Sequence, residues 1–302
     1  MNRRNFFKTV AGLSLGIAGT QLAFPYSIKA RMAKPVADWV ANAFLDPRIK
    51  DKISKLKRKN PDLRIGDTHC HSLYSDGNSP VADLLDRAAA LGLDFLVITE
   101  HLMPRQYPLH RCLASIQERL RCVREWENPS YDPVTVYPAL EISTLQGHLI
   151  VVLDPEFLHP RKFHELKLQF SRFDQRMISM EDTAQLVEPF GGITIIPHPG
   201  IHRDYPFGAS LDFIRDHLVG QVDAIEDVST GHGYEEDYST DLGMAAVGSS
   251  DDHFNLIIGT AVTGYDSRRH RDFLSAIKDR ETQAIKVDRS VDDLMAAARL
   301  VL

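Results

Sequence analysis

Nine side chains of the types that bind metal ions follow short apolar runs at separate points of the chain. Two of them stand two residues apart in Asp67-Thr68-His69-Cys70-His71, and Asp251 and His253 repeat this spacing. Residues two apart on an extended strand project to the same side, about 6 to 7 Å apart, so each pair can reach one cation. The other five are Asp76, His101, Glu141, His148 and His198. Imidazole and carboxylate donors in this number predict a metal centre.

Several of the single residues stand in segments that would fix their position. Glu141 ends the apolar stretch that begins at Val134, and His148 follows beyond the turn residue Gly147. His198 lies in Pro197-His198-Pro199-Gly200, directly after a run typical of a buried strand. The flanking prolines restrict the backbone and remove amide donors, which suits a rigidly held ring. We therefore expect these residues to belong to the same centre.

The elements that must position these residues alternate between strands and helices. Apolar runs predict strands at 63–68, 94–99, 134–137, 149–153, 193–196, 222–228, 244–248, 257–262 and 284–287. Helical periodicity predicts helices at 33–59, from Ser79-Pro80 to Gly92, and near 109–126, 180–190, 211–218 and 272–277. This alternation predicts an α/β barrel with parallel strands. Chemistry in such barrels lies at the C-terminal ends of the strands, where the nine side chains fall.

The first 30 residues are typical of an export signal. Arg3-Arg4 precede Phe6-Phe7-Lys8 and a mildly apolar run from Val10 to Ala23, which is shorter than the about 20 residues that span a bilayer. Paired arginines in this position resemble the twin-arginine signal, so we expect export to the periplasm by the Tat machinery, with no stable membrane anchor after cleavage. The alternatives are an ordinary Sec signal or an uncleaved anchor helix. We assign 31–62 to a helical linker and 63–302 to a single barrel domain.

The charge balance excludes one class of partner. The first 30 residues hold four basic and no acidic side chains, so the remainder carries 31 basic and 41 acidic residues, a net charge of −10. Proteins that grip duplex nucleic acid present a basic surface to several phosphates. Long duplex nucleic acid is therefore not an expected partner. A small anionic substrate remains compatible, because bound cations would invert the local field.

The motifs resemble those of the polymerase and histidinol phosphatase (PHP) family of metal-dependent phosphoesterases. They are Asp67-x-His69-x-His71, Ser75-Asp76-Gly77, Thr99-Glu100-His101, Glu141, His148, Pro197-His198-Pro199 and Gly248-Ser249-Ser250-Asp251-Asp252-His253, in the family's order. The resemblance implies a distorted, TIM-like barrel of seven β/α units. Glu100 departs from the pattern, since relatives often carry aspartate there. The adjacent histidine is the ligand that the resemblance implies.

The resemblance also implies three divalent cations, zinc, manganese or iron. The first would be bound by His69, His71, Glu141 and Asp251, the second by Glu141, His148 and His198, and the third by Asp76, His101 and His253. A hydroxide between paired cations would then attack a small phosphate ester. Monoesters, nucleotides and short oligonucleotides are the expected substrates.

Five further residues are candidates for handling the substrate. Arg203 and Arg105 follow predicted ligands in loops of the catalytic face and could hold the phosphate. His202 and Asp252, with His232 as a further candidate, could act as general acid. The alternative is that the arginines are ordinary surface residues and that the other three only support the structure of their loops or of the neighbouring ligands.

The sequence also leaves two other functions open. One is a metallohydrolase of the amidohydrolase type, which also begins with a His-x-His pair but usually places a carbamylated lysine at a strand end. The chain has no lysine between Lys59 and Lys162, and Glu141 takes the bridging position. The other is a metal-binding module without catalytic activity. The complete ligand set argues against it.

Overall fold

Ten strands form one sheet in the part of the chain that the structure, a computed structural model, describes: residues 41–125, 134–154, 160–190, 192–201, 207–289 and 291. The strands are β1 Leu63–Asp67, β2 Phe95–Leu102, β3 Thr135–Ser143, β4 His148–Val152, β5 Ile193–Ile196, β6 Ala224–Ser229, β7 Tyr234–Glu235, β8 Ala245–Ser249, β9 Ala261–Asp266 and β10 Thr282–Lys286. The predicted export signal, residues 1–30, lies outside the described residues.

The sheet curls into a nearly closed barrel. Its strands follow the order β10-β9-β1-β2-β3-β4-β5-β6-β7, and β8 pairs with β6. The remaining gap is crossed by side chains, since Thr282 Oγ1 donates to the Ala246 carbonyl at 2.8 Å and the Gly248 amide donates to Thr263 Oγ1 at 3.0 Å. A β-carbon on Gly248 would lie 2.6 Å from the Val262 carbonyl oxygen, so only glycine allows this approach.

The sheet is mixed, which corrects the prediction of parallel strands. Strands β1, β2 and β3 are parallel to one another, as are β5, β6 and β8. Strand β4 runs antiparallel to both neighbours, and β9 runs antiparallel to β1 and β10. The physical reason at β4 is the connection: only residues 144–147 separate it from β3, which is long enough for a hairpin but not for a crossover helix.

Alternation along the strands separates the barrel interior from the face that the helices cover. Val97 and Ala139 face an interior cluster with Ile150 and Ile195. Leu96, one residue from Val97, packs in another cluster, among helical residues. Because both faces are covered, the strands read as nearly continuous apolar runs.

The described helices are α1 Asp46–Lys59, α2 Val81–Leu91, α3 Leu109–Glu125, α4 Pro160–Phe170, α5 Met180–Val187, α6 Leu211–Phe213, α7 Tyr238–Leu242 and α8 Phe273–Lys278. Helix α2 begins after Pro80, one residue later than the predicted start, and Gly92 ends it with a φ of 82°. Helix α8 begins with a capping box between Asp272 and Ser275. None of the helices that the structure describes is long and apolar enough to cross a membrane.

Helix α1 packs against the barrel although it belongs to the segment predicted as a linker. Ile49 and Ile53 are buried and join the cluster formed with α2 and with Ile258. The fully buried carboxylate of Asp288 accepts ion pairs from Arg48 at 3.2 Å and Lys52 at 3.1 Å. The helix is therefore part of the folded body, whereas the domain boundary at residue 63 stays a prediction.

Candidate metal centre

All nine predicted metal-type side chains meet at one end of the barrel. On the inward face of β2, the apolar Val97 is followed by Thr99 and then His101, and on β3 Ala139 is followed by Glu141. The other members come from the edges of the same mouth: His69, His71 and Asp76 after β1, His148 at the start of the antiparallel β4, His198 after β5, and Asp251 and His253 after β8. Each of these strands therefore carries apolar side chains inside the barrel and a metal-binding side chain at or just beyond the end that opens.

Five imidazoles converge on the carboxylate of Glu141, which is fully buried. The distances to Oε2 are 3.3 Å from His69 Nε2, 3.3 Å from His71 Nε2 and 2.9 Å from His101 Nδ1, and those to Oε1 are 2.8 Å from His148 Nδ1 and 3.0 Å from His198 Nε2. The two oxygens therefore face different sets of rings. A carboxylate in this position can bridge two cations.

Asp251, in the loop that follows β8, faces two of the rings that approach Glu141 Oε2. Its Oδ1 lies 3.3 Å from both His69 Nε2 and His71 Nε2, the same two atoms that approach Glu141. Its Oδ2 lies 2.8 Å from His232 Nε2. Asp251 has a φ of 50° and His198 has a φ of 34°. Residues other than glycine rarely adopt these backbone conformations. Backbone strain of this kind is concentrated at functional sites.

A third group forms around Asp76. Its Oδ2 lies 3.4 Å from His101 Nε2 and its Oδ1 lies 3.3 Å from His253 Nε2. The ring of His71 lies beside the rings of His101 and His253, with centroids 4.4 and 4.2 Å away, and those two rings are 6.1 Å from each other. A β-carbon on Gly77 would lie 2.3 Å from the His71 carbonyl oxygen, so the loop can bring Asp76 here only with glycine next to it.

The donor atoms fit divalent cations. Four groups have ligand atoms that all lie within 4.8 Å of one another: His71, Asp76, His101 and His253; His69, His198 and Asp251; His69, His71 and Glu141; and His101, Glu141 and His148. Within the described residues, buried atoms without a hydrogen-bond partner include His69 Nε2, His71 Nε2 and Glu141 Oε2. Buried polar atoms are normally satisfied. Unpaired atoms that point at one another indicate a place for a cation, and mixed imidazole and carboxylate donors suit zinc, manganese or iron.

The imidazoles and carboxylates shift one another's protonation. Burial alone would raise the pKa of Glu141, but positive charge at His101, His148 and His69 lowers it well below its ordinary value. Burial opposes the protonation of His69, yet the carboxylates of Asp251, Glu141 and Glu226 raise its pKa well above the ordinary value. Without cations, protonated histidines thus balance the buried carboxylates.

Other imidazoles shift in the opposite direction. Burial, followed by the charges of His253 and His101, lowers the pKa of His71 to about 4. Burial is also the main cause that lowers the pKa of His198 to about 4. These rings therefore keep a free lone pair at neutral pH. Neutral imidazole is the form that binds a metal ion.

Glu226 on β6 belongs to the centre although it is not among the residues predicted from the sequence. Its Oε1 lies 2.9 Å from His69 Nδ1 and accepts from Ser249 Oγ at 2.6 Å. Its Oε2 accepts from the His198 amide at 2.8 Å. Because a proton held on Nδ1 leaves Nε2 available, Glu226 aims His69 at Glu141. The available signal was alternation: Glu226 follows the inward-facing Ala224 by two residues, just as Glu141 follows Ala139.

Glu100 supports the centre from outside the barrel. It is fully buried, and its carboxylate accepts from Ser72 Oγ at 2.5 Å, Ser75 Oγ at 2.6 Å and Ser115 Oγ at 2.7 Å. One residue away from His101 on β2, it points to the opposite face, toward α3. Glu100, which stands where the resembling family often has aspartate, therefore holds the loop before Asp76 in place.

The candidates for substrate handling fall into four groups. Arg203 and His202 lie outside the described residues. Arg105 is exposed on the turn that follows His101, with a φ of 69°. Asp252 is buried and accepts amides of its own loop, from Leu256 at 3.0 Å and Ile257 at 3.3 Å. His232 is the fifth candidate: its ring lies 4.8 Å from that of His198 and 2.8 Å from Asp251, and its side chain is 15% exposed.

Solved structures of similar fold support the barrel assignment. PsfC from Pseudomonas syringae PB-5123 matches with a TM-score of 0.54 and 19% identity, over 80% of this chain and 98% of that one. A two-domain protein from Bacteroides vulgatus ATCC 8482, described as containing a predicted PHP-like metal-dependent phosphoesterase, matches with a TM-score of 0.50 and 18% identity, over 74% of this chain and 64% of that one. A comparison with protein-family models finds no match, and neither does one with curated proteins. At these identities the likeness concerns the fold, and it confirms the predicted distorted barrel.

Proposed function

We propose that the protein is a metal-dependent phosphoesterase that hydrolyses small phosphate esters. The observation that carries this proposal is the convergence of five histidines on Glu141, with Asp251 facing two of the same ring atoms at 3.3 Å. The Bacteroides protein of similar fold is described as containing a PHP-like metal-dependent phosphoesterase, which is the same chemistry. An acidic chain needs bound cations to attract a phosphate, and this donor set can hold them.

We assign the cations as the family resemblance implies. His69, His71, Glu141 and Asp251 would hold the first, Glu141 would bridge to the second with His148 and His198, and Asp76, His101 and His253 would hold the third. Bound divalent cations supply Lewis acidity for the phosphoryl oxygens and for the attacking water. His71 lies close enough to Asp76 to be shared with the third position, since its Nδ1 is 3.8 Å from Oδ1.

The side chains of the protein orient and protonate the reacting groups. Water gives up a proton as its oxygen bonds to phosphorus, the ester P–O bond breaks, and the departing alkoxide takes up a proton, so that an alcohol and a phosphate are released. Glu226 keeps a proton on His69 Nδ1 and so keeps Nε2 directed at the centre. His232 is partly exposed beside Asp251 and is placed to pass a proton between the centre and solvent. Burial of Glu141 excludes water from the floor of the site and strengthens its electrostatic interactions.

The test couples metal loading to turnover. Chelator-treated protein is titrated with Mn²⁺, Zn²⁺ or Fe²⁺ and assayed on aryl phosphate mono- and diesters, nucleotides and short oligonucleotides. We expect hydrolysis that rises with bound metal and disappears in His69→Ala. Metal binding without hydrolysis of any ester would identify a binding module instead. Hydrolysis of amides or lactones alone would identify an enzyme of the amidohydrolase type.

We further propose that the protein is exported to the periplasm by the twin-arginine route. The support is the sequence of residues 1–30, with Arg3-Arg4 ahead of a short apolar run. A protein whose centre holds several cations gains from folding before it crosses the membrane. Replacement of Arg3 and Arg4 by lysine should retain the protein in the cytoplasm, as measured by cell fractionation. Unchanged export of this variant would instead favour a Sec signal.

A further inference from the structure

Two aromatic side chains flank the metal centre at its mouth. The ring of Tyr107 stacks on the ring of His101, with centroids 5.5 Å apart and an interplanar angle of 25°. The ring of Phe207 meets the ring of His148 edge to face, also at 5.5 Å. His101 and His148 themselves lie 5.2 Å apart. The four rings therefore form a row of contacts in which Tyr107 and Phe207 are the two ends and His101 and His148 lie between them.

Both aromatic residues are placed by backbone contacts of the catalytic loops. Tyr107 pairs with Met103 through two amide hydrogen bonds of 2.9 and 3.0 Å, which close the turn after β2. The Phe207 carbonyl accepts from the His148 amide at 2.8 Å, which fixes Phe207 beside β4. Both side chains are partly exposed. They are therefore anchored at the rim and still accessible to a substrate.

Exposed apolar side chains continue both sides of this rim. On the Tyr107 side, Leu73 is 41% exposed and lines a groove with Arg111, whose guanidinium donates to the Leu73 carbonyl at 2.8 Å. On the Phe207 side, Leu145 is 58% exposed in the turn before His148. Exposed apolar side chains thus lie close to the charged centre on both sides.

We propose that Tyr107 and Phe207 select phosphate esters whose alcohol portion carries a flat aromatic ring, either a nucleobase or an aryl group. This assignment rests on the proposed function. A phosphoryl group held over Glu141 must direct its ester substituent outward, past His101 and His148, to the level of the two aromatic rings. Aromatic side chains bind flat rings by offset stacking or edge contacts. A sugar or a short alkyl group has no flat face that could stack on Tyr107 or Phe207.

Matched substrates isolate the ring from the leaving-group chemistry. Adenosine 5′-monophosphate and ribose 5-phosphate release the same primary alkoxide and differ in the base. Benzyl phosphate and cyclohexylmethyl phosphate likewise differ in the flatness of the ring. For the metal-loaded protein we expect kcat/KM to be about tenfold higher for the flat member of at least one pair, the size of effect typical of one stacked ring. The pair that shows the preference identifies the source of the ring.

Variants connect the preference to the two residues. Tyr107→Ala and Phe207→Ala should reduce the preference to about twofold or less with unchanged metal content, whereas Tyr107→Phe should retain it because the ring is kept. Leu168→Ala, at an exposed leucine on α4, is the control. Calorimetric binding of adenosine and ribose provides a readout independent of turnover. Adenosine should bind more tightly than ribose to the wild type, Tyr107→Phe and Leu168→Ala, and should lose most of this advantage in Tyr107→Ala and Phe207→Ala.

The outcomes separate the two proposals. Hydrolysis of flat and non-flat esters at equal rates, or a preference that survives both alanine variants, would overturn the assignment of Tyr107 and Phe207 and leave the phosphoesterase intact. Absence of hydrolysis of these four esters, and also of aryl phosphate diesters and short oligonucleotides, by metal-loaded wild type would overturn the phosphoesterase itself, and the specificity assignment with it.

Discussion

Glu226 connects two parts of the centre through one carboxylate. One oxygen approaches the ring of His69 and the other accepts the amide of His198, a residue whose backbone has a φ of 34°. A hydrogen bond to the far nitrogen of a ligand histidine fixes its tautomer and its orientation. Glu226 therefore acts on both proposed cation positions that share Glu141 without touching a cation itself.

Replacing Glu226 should weaken metal binding more than folding. For Glu226→Gln we expect affinity for the first two cations to fall by about 10- to 100-fold, because an amide oxygen is a weaker acceptor than a carboxylate for His69 Nδ1 and for the backbone amide of His198. Calorimetric titration with Mn²⁺ measures this affinity, and Glu165→Gln on the surface of α4 is the matched control. An affinity within about twofold of wild type would show that Glu226 does not position these ligands.

His253 predicts a pH dependence of metal binding. Burial opposes its protonation, but Asp76 and Asp251 raise its pKa from 6.5 to about 9 in the metal-free protein. The proton stabilises the metal-free fold below pH 6.5, and this contribution is lost as the pH rises through about 9. A cation at this position must displace the proton, so its apparent affinity should rise with pH between 6.5 and about 9.

Proton release provides the measurement for His253. Titrations at pH 7.5 in two buffers of different ionisation enthalpy should differ by the heat of the released proton. His253→Gln should release fewer protons than wild type at the same pH. Affinity that stays constant from pH 6.5 to 9 would contradict the protonation assigned to this histidine.

The nine metal-type residues could be predicted because their types recur at the ends of apolar runs. Glu226 escaped prediction because it lies inside such a run, in Ala224-Ile225-Glu226-Asp227-Val228, and an acid there does not reveal which partners it meets. The role of Glu100 depends on Ser115, which α3 brings to it from a distant point of the chain. Contacts of this kind are set by packing rather than by local sequence.

At the scale of elements, the loop after β1 depends on a polar network between β2 and α3. Glu100 accepts from Ser72 and Ser75 in this loop, and Ser115 on α3 connects it to the buried guanidinium of Arg119 at 3.3 Å. The loop ends in the residues that bring Asp76 to the centre. Its position is therefore set by a buried carboxylate rather than by apolar packing.

Glu100→Ala should both destabilise the protein and displace Asp76. Loss of the acceptor leaves buried hydroxyls unpaired and Arg119 without its nearest carboxylate, for which we expect a loss of about 3 kcal/mol in the free energy of unfolding. Urea denaturation of metal-free protein measures it, with Glu165→Ala as the surface control. Stability and metal content equal to wild type would show that the loop holds its position without Glu100.

Helix α1 is predicted to contribute to the stability of the barrel. Ile53 is 1% exposed and packs in a cluster with Leu91 and Ile258. Ile53→Ala should lower the free energy of unfolding by about 2–5 kcal/mol because it leaves a cavity. Leu168→Ala, at a leucine that is 62% exposed, should change it by less than about 0.5 kcal/mol. Equal small effects in both variants would mean that α1 behaves as a dispensable linker.

Most of the element order was predictable, apart from α4, β7 and α7, but the directions of the strands were not. Every predicted strand overlaps a strand of the structure, although the predicted strand 257–262 meets β9 only at Ala261 and Val262. Ile257 and Ile258 precede β9 in an irregular segment whose turn is fixed by Asp252. Apolar runs look alike in parallel and antiparallel pairing, so β4 and β9 gave no signal of their direction. The short connection around Gly147 was the available indication for β4.

At the scale of the whole molecule, the barrel explains how distant residues form one centre. The ligands are spread from His69 to His253, yet parallel strands place their C-terminal ends at one mouth, and the antiparallel β4 contributes His148 from its first residue. Gly248 lets β8 close the ring beside β9. The convergence could be predicted from the sequence because the C-terminal ends of parallel strands lie at the same end of a barrel, so ligand residues at those ends meet there.

Metal content is the most direct test of the central claim, that these side chains hold a cluster of cations. Purified protein, loaded with Mn²⁺ or Zn²⁺ and freed of excess by gel filtration, is analysed by plasma mass spectrometry beside Glu141→Ala. We predict more than one equivalent of metal per wild-type chain and a loss of most of it in the variant, because Glu141 is shared by five histidines. Less than one equivalent in the wild type, or equal content in both proteins, would contradict a multinuclear centre built around Glu141.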